Sequence, residues 1–164
     1  MKEAIGGSWL FTLIIALLAF FTCFVSISTN YTRTYNVKDE IVSILSSRGG
    51  ATPLAIKEIN GRLKEIGYSA TGACPENGCW YKFSKNNDSG LSTYAEGVNY
   101  CISKTLVGTG AVGHPDQYYY SVAVFFQVDM PVVGQIFKMT LVGETPIVNV
   151  GGGDTYFINA SCGA

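Results

Sequence analysis

Few residues in this sequence could carry catalysis, and they do not form a recognised set. The single histidine, His114, lies in the loop-like segment Val112-Gly113-His114-Pro115-Asp116. Enzymes of this size normally show a nucleophile with a base and an orienting group, or a set of metal ligands. His114 with Asp116 supplies neither, so the sequence predicts a protein that is not an enzyme and has no catalytic residue.

Two other segments resemble ligand sites only in part. Gly151-Gly152-Gly153-Asp154 has the glycines of a phosphate cradle, but no Gly-Lys-Ser/Thr follows them. Asn86-Asn87-Asp88-Ser89 offers oxygen ligands without the alternating acids and closing glutamate of a calcium loop. We therefore expect no bound metal and no cofactor.

Four of the five cysteines lie outside the apolar N-terminal stretch and form an even set: Cys74, Cys79, Cys101 and Cys162. Such a set in a small domain indicates two disulfides formed in an oxidising compartment. Turn-forming residues between Cys74 and Cys79 favour local pairing, which would leave Cys101 to pair with Cys162, but three connectivities fit the count. The spacing and the lone histidine do not suit a zinc site.

An apolar N-terminal segment places these residues relative to a membrane. Its core is Trp9 to Ile27, and no charged residue occurs between Glu3 and Arg33. As a helix this core is roughly 28 Å long, close to the ~30 Å hydrocarbon thickness of a bilayer. We predict a short leader over residues 1–7 and a transmembrane helix over residues 8–28. A cleaved secretory signal fits less well, because its apolar region is shorter and its leader is more basic.

The helical pattern continues outward from the apolar run. A stripe of apolar side chains predicts an extracytoplasmic extension of the helix, which we place at residues 29–50; the stripe comprises Ile27, Tyr31, Tyr35, Ile41, Ile44 and Leu45. Arg48-Gly49-Gly50 supplies the stop. A second, shorter helix begins with Thr52 as N-cap and Pro53 as its first residue, and it ends at Gly67.

Beyond Tyr68 the pattern becomes that of β-strands. Aromatic and β-branched residues are concentrated in segments 80–83, 100–107, 118–129 and 134–142, and Pro146 makes 147–150 an edge-strand candidate. The predicted fold class is α+β. A long N-terminal transmembrane helix extends into a small ectodomain, which has a second helix and an antiparallel β-sheet. The globular part occupies residues 51–164.

Two sets of side chains are candidates for contact with other subunits. The first is the apolar face of the N-terminal helix: Trp9, Leu13, Leu17, Phe20, Phe24, Ile27 and Tyr31. The second is a run of rings in a predicted strand, where alternate rings face the core and the others face outward: Tyr118, Tyr119 and Tyr120.

Charge and cysteine content limit the partners and the location. The formal net charge of -1 gives no overall attraction to phosphate, so we expect no nucleic-acid partner. The disulfide set indicates that the C-terminal domain is extracytoplasmic. We expect a single-pass membrane protein with that domain outside the cytoplasm.

The layout of the chain is similar to that of a known superfamily. A leader, Met1-Lys2-Glu3-Ala4-Ile5-Gly6-Gly7, is followed by Ser8, the apolar run, and a helix that passes through Tyr31-Thr32-Arg33 into Val37-Lys38-Asp39-Glu40-Ile41-Val42. This layout resembles the type IV pilin-like superfamily, and most of all its TadE-like minor pilins or pseudopilins. The segments Asp129-Met130-Pro131-Val132-Val133-Gly134 and Val142-Gly143-Glu144-Thr145 resemble the proline-containing strand pair of those proteins.

The resemblance implies an assembly function. A prepilin peptidase would cleave after Gly7 and leave Ser8 as the new N-terminus, and the subunit would then join a pilus or pseudopilus at the cell surface. The implied partners are other pilin subunits, the membrane, the prepilin peptidase and the pilus assembly machinery. The family's glutamate, five residues into the mature chain, would fall on Thr12, where this sequence departs from the pattern.

A second function fits the same layout. A single-pass, membrane-anchored extracytoplasmic binding module, such as an adhesin or a sensor, would use the same helix and domain without polymerising. The two functions differ in where the helix ends up, in a filament or in the membrane. An anchored hydrolase that uses His114 and Asp116 ranks third.

Overall fold

A single long helix organises the structure. The computed structural model describes the backbone of residues 2–87, 97–108, 117–130 and 134–149. Helix α1 spans Lys2–Ser47 and helix α2 spans Pro53–Ile66. The strands are β1 (Trp80–Phe83), β2 (Tyr100–Gly108), β3 (Gln117–Met130), β4 (Gly134–Glu144) and β5 (Val148–Asn149). The predicted α+β class is confirmed.

Helix α1 begins at Lys2, within the segment predicted as a leader, and both helices end where the sequence indicates. Helix α1 stops before two glycines with positive φ, and Gly49 lies in the left-handed region at 68°. The hydroxyl of Thr52 accepts a hydrogen bond from the Ala55 N–H at 3.2 Å, which caps the first turn of α2. Gly67 adopts a left-handed φ of 68° and closes α2 by donating to the carbonyl of Lys64.

The sheet is antiparallel, in the order β1-β2-β3-β4, and β5 also pairs with β3. Because β2 already occupies one side of β3 at Gln117 and Tyr118, β5 lies on the same side as β4. A break at Thr145 separates β4 from β5. There the backbone N–H of Tyr120 donates to the Thr145 hydroxyl at 2.9 Å. A side-chain oxygen thus takes the place of the backbone carbonyl that would accept this bond in a regular strand pair. Among the described strands, β5 pairs with β3 alone, as expected for an edge.

The core lies between one face of the sheet and the two helices. Its fully buried members include residues from α1, α2 and three strands: Val37, Ile41, Leu45, Ile56, Ile59, Leu63, Phe83, Tyr100, Ile102, Tyr120, Val122 and Val124. Burial of each such aliphatic side chain stabilises the fold by about 1.5–3 kcal/mol. The upper half of α1 is thus part of the domain core.

The opposite face of the sheet is partly covered by the segment over residues 69–79. Ala123 and Phe125 of β3 pack there with Cys101 of β2. Gly72 lies so close to Phe125 that a Cβ at this position would sit 2.4 Å from the ring. The helices therefore cover one face of the sheet, and this segment covers part of the other.

Candidate assembly surface

The first half of α1 is an exposed apolar rod. Every side chain from Ser8 to Thr22 is exposed, although this stretch contains the most apolar residues of the chain. Within the described residues, α1 is the one helix that is long and apolar enough to cross a membrane, and its most apolar window is 0% buried. Such a surface is unfavourable in water, so lipid or protein must cover it.

The threonine hydroxyl groups on α1 are satisfied within the helix itself. Thr12 Oγ1 donates to the Ser8 carbonyl at 2.9 Å, and Thr22 Oγ1 donates to the Ala19 carbonyl at the same distance. Thr29, Thr32 and Thr34 make the same kind of bond to the preceding turn. A polar group in hydrocarbon must have a partner, and these groups have one without a second molecule.

Six of the seven predicted residues of the assembly face are exposed. Trp9 is 72% exposed, Phe20 69% and Phe24 62%, and Leu13, Leu17 and Tyr31 are about half exposed. Ile27 is only partly exposed. Ile27 belongs to a stripe of less exposed residues along one face of the helix. The stripe begins at Cys23 and continues toward the C-terminus to Thr34 and Val37, which are buried.

The residues of the predicted apolar stripe in the second half of α1 do not all lie in the core. Ile41, Ile44 and Leu45 are buried in the core, whereas Tyr31 is 49% and Tyr35 44% exposed. The amine of Lys38 lies 3.8 Å from the centre of the Tyr35 ring, and the stem of the same lysine packs on Gly143 of β4. The two tyrosines therefore lie along the β4 flank of α1 instead of in the core.

Met139 extends this flank, and the sequence did not single it out. It is 59% exposed and pairs with Phe126, whose ring contacts Tyr31 edge to face at 6.0 Å between centroids. The four-residue spacing of Tyr31 and Tyr35 places both on one helix face. The position of Met139 depends on the register between β3 and β4. The sequence has no pattern that predicts this register in the way that the four-residue spacing predicts a helix face.

The run of three tyrosines is only partly available at the surface. Tyr120 is fully buried in the core and is therefore wrong as a predicted surface contact. Tyr118 and Tyr119 are partly exposed, and the amine of Lys104 lies 4.0 Å from the centre of the Tyr118 ring. The alternation expected of a strand explains why neighbouring tyrosines differ.

The cysteine pairing differs from the local pairing that the turn residues favoured. Cys74 is bonded to Cys101, with Cα atoms 5.9 Å apart. Pairing of Cys74 with Cys79, and of Cys101 with Cys162, is therefore wrong. Cys79 is also disulfide-bonded, whereas Cys23 of the apolar run is not. Cys162 lies outside the described residues.

The cleavage position lies within the helix. Gly7 and Ser8 both belong to α1, which continues through them without a break. Arg33, the first charged residue after the apolar run, donates through Nη2 to the carbonyl of Ile66 at the end of α2. It borders a polar cleft of about 180 Å³ between α1, α2 and β3. In this position Arg33 ties the two helices together where the domain approaches the apolar rod.

The candidate catalytic and ligand-binding segments contribute little to the described structure. His114, Asp116 and the Gly151–Asp154 run lie outside the described residues, as do Asp88 and Ser89. Across residues 2–87, 97–108, 117–130 and 134–149, no three His, Cys, Asp or Glu side chains come together as a metal-binding group.

Comparison with known proteins adds no relative. No protein-family model matches the chain, and no curated protein and no solved structure matches it. The architecture is that of an α+β domain carried on a helix that is long and apolar enough to cross a membrane.

Proposed function

We propose that this protein is a non-enzymatic structural subunit of a type IV or Tad-like pilus or pseudopilus. It assembles through its N-terminal apolar helix, and the filament serves surface attachment, secretion or uptake. Before assembly the subunit spans the membrane once, with the C-terminal domain on the extracytoplasmic side. A prepilin peptidase cleaves between Gly7 and Ser8.

One observation carries this proposal. A single uninterrupted helix of 46 residues is exposed and mostly apolar from Ser8 to Thr22, and from Val37 to Leu45 it contributes side chains to the domain core. A simple anchor needs only about 20 apolar residues and a linker to its domain. A rod that is continuous with the core of the domain fixes the apolar surface relative to the sheet, as a helical assembly requires.

The driving force differs between the membrane and the filament. In lipid, apolar helices gain little hydrophobic free energy from association, and their contacts rest on van der Waals packing. Once a helix leaves the bilayer, its large exposed side chains, such as Phe20 and Phe24, must be covered by other copies. Burial of each of these side chains then contributes about 1.5–3 kcal/mol.

A second candidate is an anchored binding module that stays in the membrane as a single copy. The hydrogen bond of Thr12 within its own helix favours it, because no carboxylate at this position needs a neighbouring subunit's N-terminus. With Thr12 bonded inside its own helix, packing of the helices at this position in a filament would rest on apolar contacts.

Cell fractionation with N-terminal sequencing tests the proposal. Surface fibres are detached by vortexing from cells that produce the full chain, and the membrane fraction is collected separately. We expect the subunit in the fibres to begin at Ser8. A Gly7→Leu variant should keep Met1 and remain in the membrane fraction, because the peptidase recognises glycine at this position. A matched Gly61→Leu variant changes an open position of α2 and should still be cleaved.

Detection of an intact chain in membranes only, for the parent and both variants alike, would favour the anchored module instead. Cleavage at Ser8 without recovery in fibres would also contradict the assembly function. Each fraction is separated under non-reducing and reducing conditions, so that disulfide-linked material is not mistaken for a filament.

A further inference from the structure

The outer edge of β4 has backbone groups that the sheet does not use. The Thr145 N–H donates to the Tyr120 carbonyl and the Thr145 hydroxyl accepts from the Tyr120 N–H, so the backbone groups of Tyr120 point toward β4. The groups of Phe125 point the other way, because they bond to the Tyr68 hydroxyl. This direction alternates along an antiparallel pair. Every second residue of β4 therefore presents its N–H and C=O outward, and within Lys138 to Glu144 these are Lys138, Thr140, Val142 and Glu144.

This edge is open on both faces of the sheet. Met139, on the face that carries the helices, is 59% exposed, and Val142, on the opposite face, is 51% exposed. Among the described elements β4 pairs with β3 alone, so its outward backbone groups have no strand partner there. An open edge of this kind is a template on which another chain can add a strand.

The sequence of the edge is complementary to itself. It reads Lys138-Met139-Thr140-Leu141-Val142-Gly143-Glu144, with a cation at one end and an acid at the other. When two such strands pair antiparallel about Leu141, Lys138 of each copy lies opposite Glu144 of the other, and Thr140 lies opposite Val142. Each of these pairs joins outward backbone groups, so all of them find a partner. A register centred on Met139 would instead bring the two lysines diagonally together, which is unfavourable.

The same two-fold axis turns the β4 flanks of the two α1 helices toward each other. Tyr31 lies level with Met139, whose partner in β3 it contacts, and Lys38 lies on Gly143. Because Met139 is opposite Gly143 of the second copy, Tyr31 of one copy is level with Lys38 of the other. The rings of Tyr31 and Tyr35, about half exposed in the single chain, then face the second copy.

The axis also sets the direction of the two apolar rods. Helix α1 runs parallel to β4, since Tyr31 is level with Met139 and Lys38 with Gly143. Two antiparallel β4 strands therefore carry two α1 helices that point in opposite directions. Copies anchored in one membrane cannot meet in this way, and neither can neighbours in a polar filament, whose subunits all point in one direction. The second copy has to come from a facing membrane or from a filament of opposite direction.

We propose that the β4 edge from Lys138 to Glu144 is a homophilic contact site, on which a second copy of this chain pairs antiparallel about Leu141. The backbone hydrogen bonds supply the affinity, and the ion pairs between Lys138 and Glu144 select the register. The contact joins facing cells, or filaments that lie side by side in opposite directions. The pairing itself depends neither on filament assembly nor on cleavage at Gly7.

Carbodiimide coupling tests the contact on the full parent chain in detergent micelles. Lys138 and Glu144 of one chain lie six strand residues apart, about 20 Å, so an amide bond between their side chains reports two copies. We expect peptide mapping to recover this linked pair. Thr140→Pro removes an outward N–H at an edge position that tolerates proline, and it should lower the yield at least about fivefold while the domain stays folded. Absence of the linked pair from the parent, or an equal yield from a folded Thr140→Pro variant, would overturn the proposal.

Single cysteines in a Cys23→Ala background test the register. Leu141→Cys should form an inter-chain disulfide under mild oxidation, because the two residues face each other as a non-hydrogen-bonded pair, close enough for this bond. Met139→Cys, the matched control on the same face of β4, lies about 13 Å along the strand from its counterpart and should not. Equal cross-linking of the two variants, or cross-linking of Met139→Cys alone, would contradict the register.

Charge reversal on the Leu141→Cys reporter separates recognition from folding. Lys138→Glu sets acids opposite acids, and Glu144→Lys sets cations opposite cations, so each variant alone should cross-link about tenfold less than the reporter. An equal mixture of the two should recover the cross-linking, since each supplies the charge that the other lacks. Reduced cross-linking in the mixture as well would refute pairing of Lys138 with Glu144. Recovery of fibres is measured separately and decides only the proposed function.

Discussion

Tyr68 joins the end of α2 to the sheet, because its hydroxyl forms hydrogen bonds with β3 that a neighbouring strand would otherwise form. Pairing of β2 with β3 begins at Tyr100 and Val124. The next residue of β3, Phe125, therefore lies beyond the start of β2 and has no partner residue there. The Tyr68 hydroxyl accepts from the Phe125 N–H at 2.9 Å and donates to the Phe125 carbonyl at 2.6 Å. One buried side chain therefore satisfies both backbone polar groups of a buried residue.

Removal of this hydroxyl should destabilise the domain. Tyr68→Phe leaves the N–H and the carbonyl of Phe125 without their partner, and we expect a loss of about 2 kcal/mol in the free energy of unfolding. Urea denaturation of the full chain in detergent measures the loss. A matched Tyr119→Phe variant changes a partly exposed ring and should be within about 0.5 kcal/mol of the parent.

Tyr68 also predicts a pH dependence. Burial raises the pKa of Tyr68 above its ordinary value, and this outweighs the hydrogen bond from the Phe125 N–H, which lowers it. Below about pH 10 the tyrosine is neutral in the folded and the unfolded chain, so it adds no pH dependence. Above that pH the unfolded chain ionises first, and stability falls.

The measurement is the free energy of unfolding at several pH values from neutral to strongly alkaline. The parent should lose stability above about pH 10, and Tyr68→Phe should lose it with a shallower slope, because one titrating group has been removed. Equal slopes would contradict the burial of Tyr68 in the folded state. The nine other tyrosines contribute equally to the unfolded chain in both proteins.

Two glycines should respond in opposite ways to the same substitution. A Cβ at Gly72 would lie 2.4 Å from the ring of Phe125, whereas a Cβ at Gly61 of α2 meets nothing within 4 Å. We expect Gly72→Ala to destabilise the domain by about 1–3 kcal/mol through overpacking. Gly61→Ala should stabilise it by up to about 1 kcal/mol through helix propensity. Thermal unfolding of both variants measures these changes in stability. A Gly72→Ala variant as stable as the parent would contradict the packing of the 69–79 segment on β3.

At the scale of elements, local signals predicted more than long-range ones. Thr52, Pro53 and Gly67 fix the ends of α2 through capping, which involves only neighbouring residues, so its bounds could be predicted. The strands followed from their residue types, and Pro146 correctly marked an edge. The burial of Tyr120 could not be predicted, because it depends on which face of β3 meets the helices.

The disulfide pairing also depends on long-range contacts that local sequence signals do not predict. The turn residues after Cys74 describe only the local chain, but Cys101 lies on the face of β2 opposite to Tyr100 and Ile102, over which the 69–79 segment passes. That juxtaposition brings Cys74 to Cys101 across 27 residues. A local sequence rule holds no information on where this segment crosses the sheet.

Peptide mapping under non-reducing conditions tests the connectivity. Digestion of the full chain should release a pair of peptides that contain Cys74 and Cys101. Cys79 is also disulfide-bonded, whereas Cys23 is not. Of the five cysteines of the sequence this leaves Cys162 as the expected partner of Cys79. Recovery of Cys74 and Cys79 in one internally bonded peptide would contradict the structure.

At the scale of the whole molecule, the exposed rod should decide assembly. We expect the double substitution of Phe20→Ala and Phe24→Ala to reduce the amount of subunit in detached fibres at least about tenfold, because two large apolar contacts worth more than 1.4 kcal/mol are lost. Quantitative immunoblotting of fibre and membrane fractions measures the change. Leu54→Ala removes an equally exposed apolar side chain from α2 and serves as the matched control. Equal losses in both variants would show that the rod has no special part in assembly.

Helix α1 runs antiparallel to β3, because Tyr31 contacts Phe126 whereas Lys38 packs on Gly143, which pairs with Val122. This course has a mechanical consequence. A tensile load applied along α1, with the domain held by its surroundings, acts parallel to the contacts between the helix and the sheet. From Tyr31 beside Phe126 of β3 to Lys38 on Gly143 of β4, these contacts are spread along the helix and bear the load together. A load at right angles would instead part them one after another. The subunit is therefore strongest along the axis of its own helix.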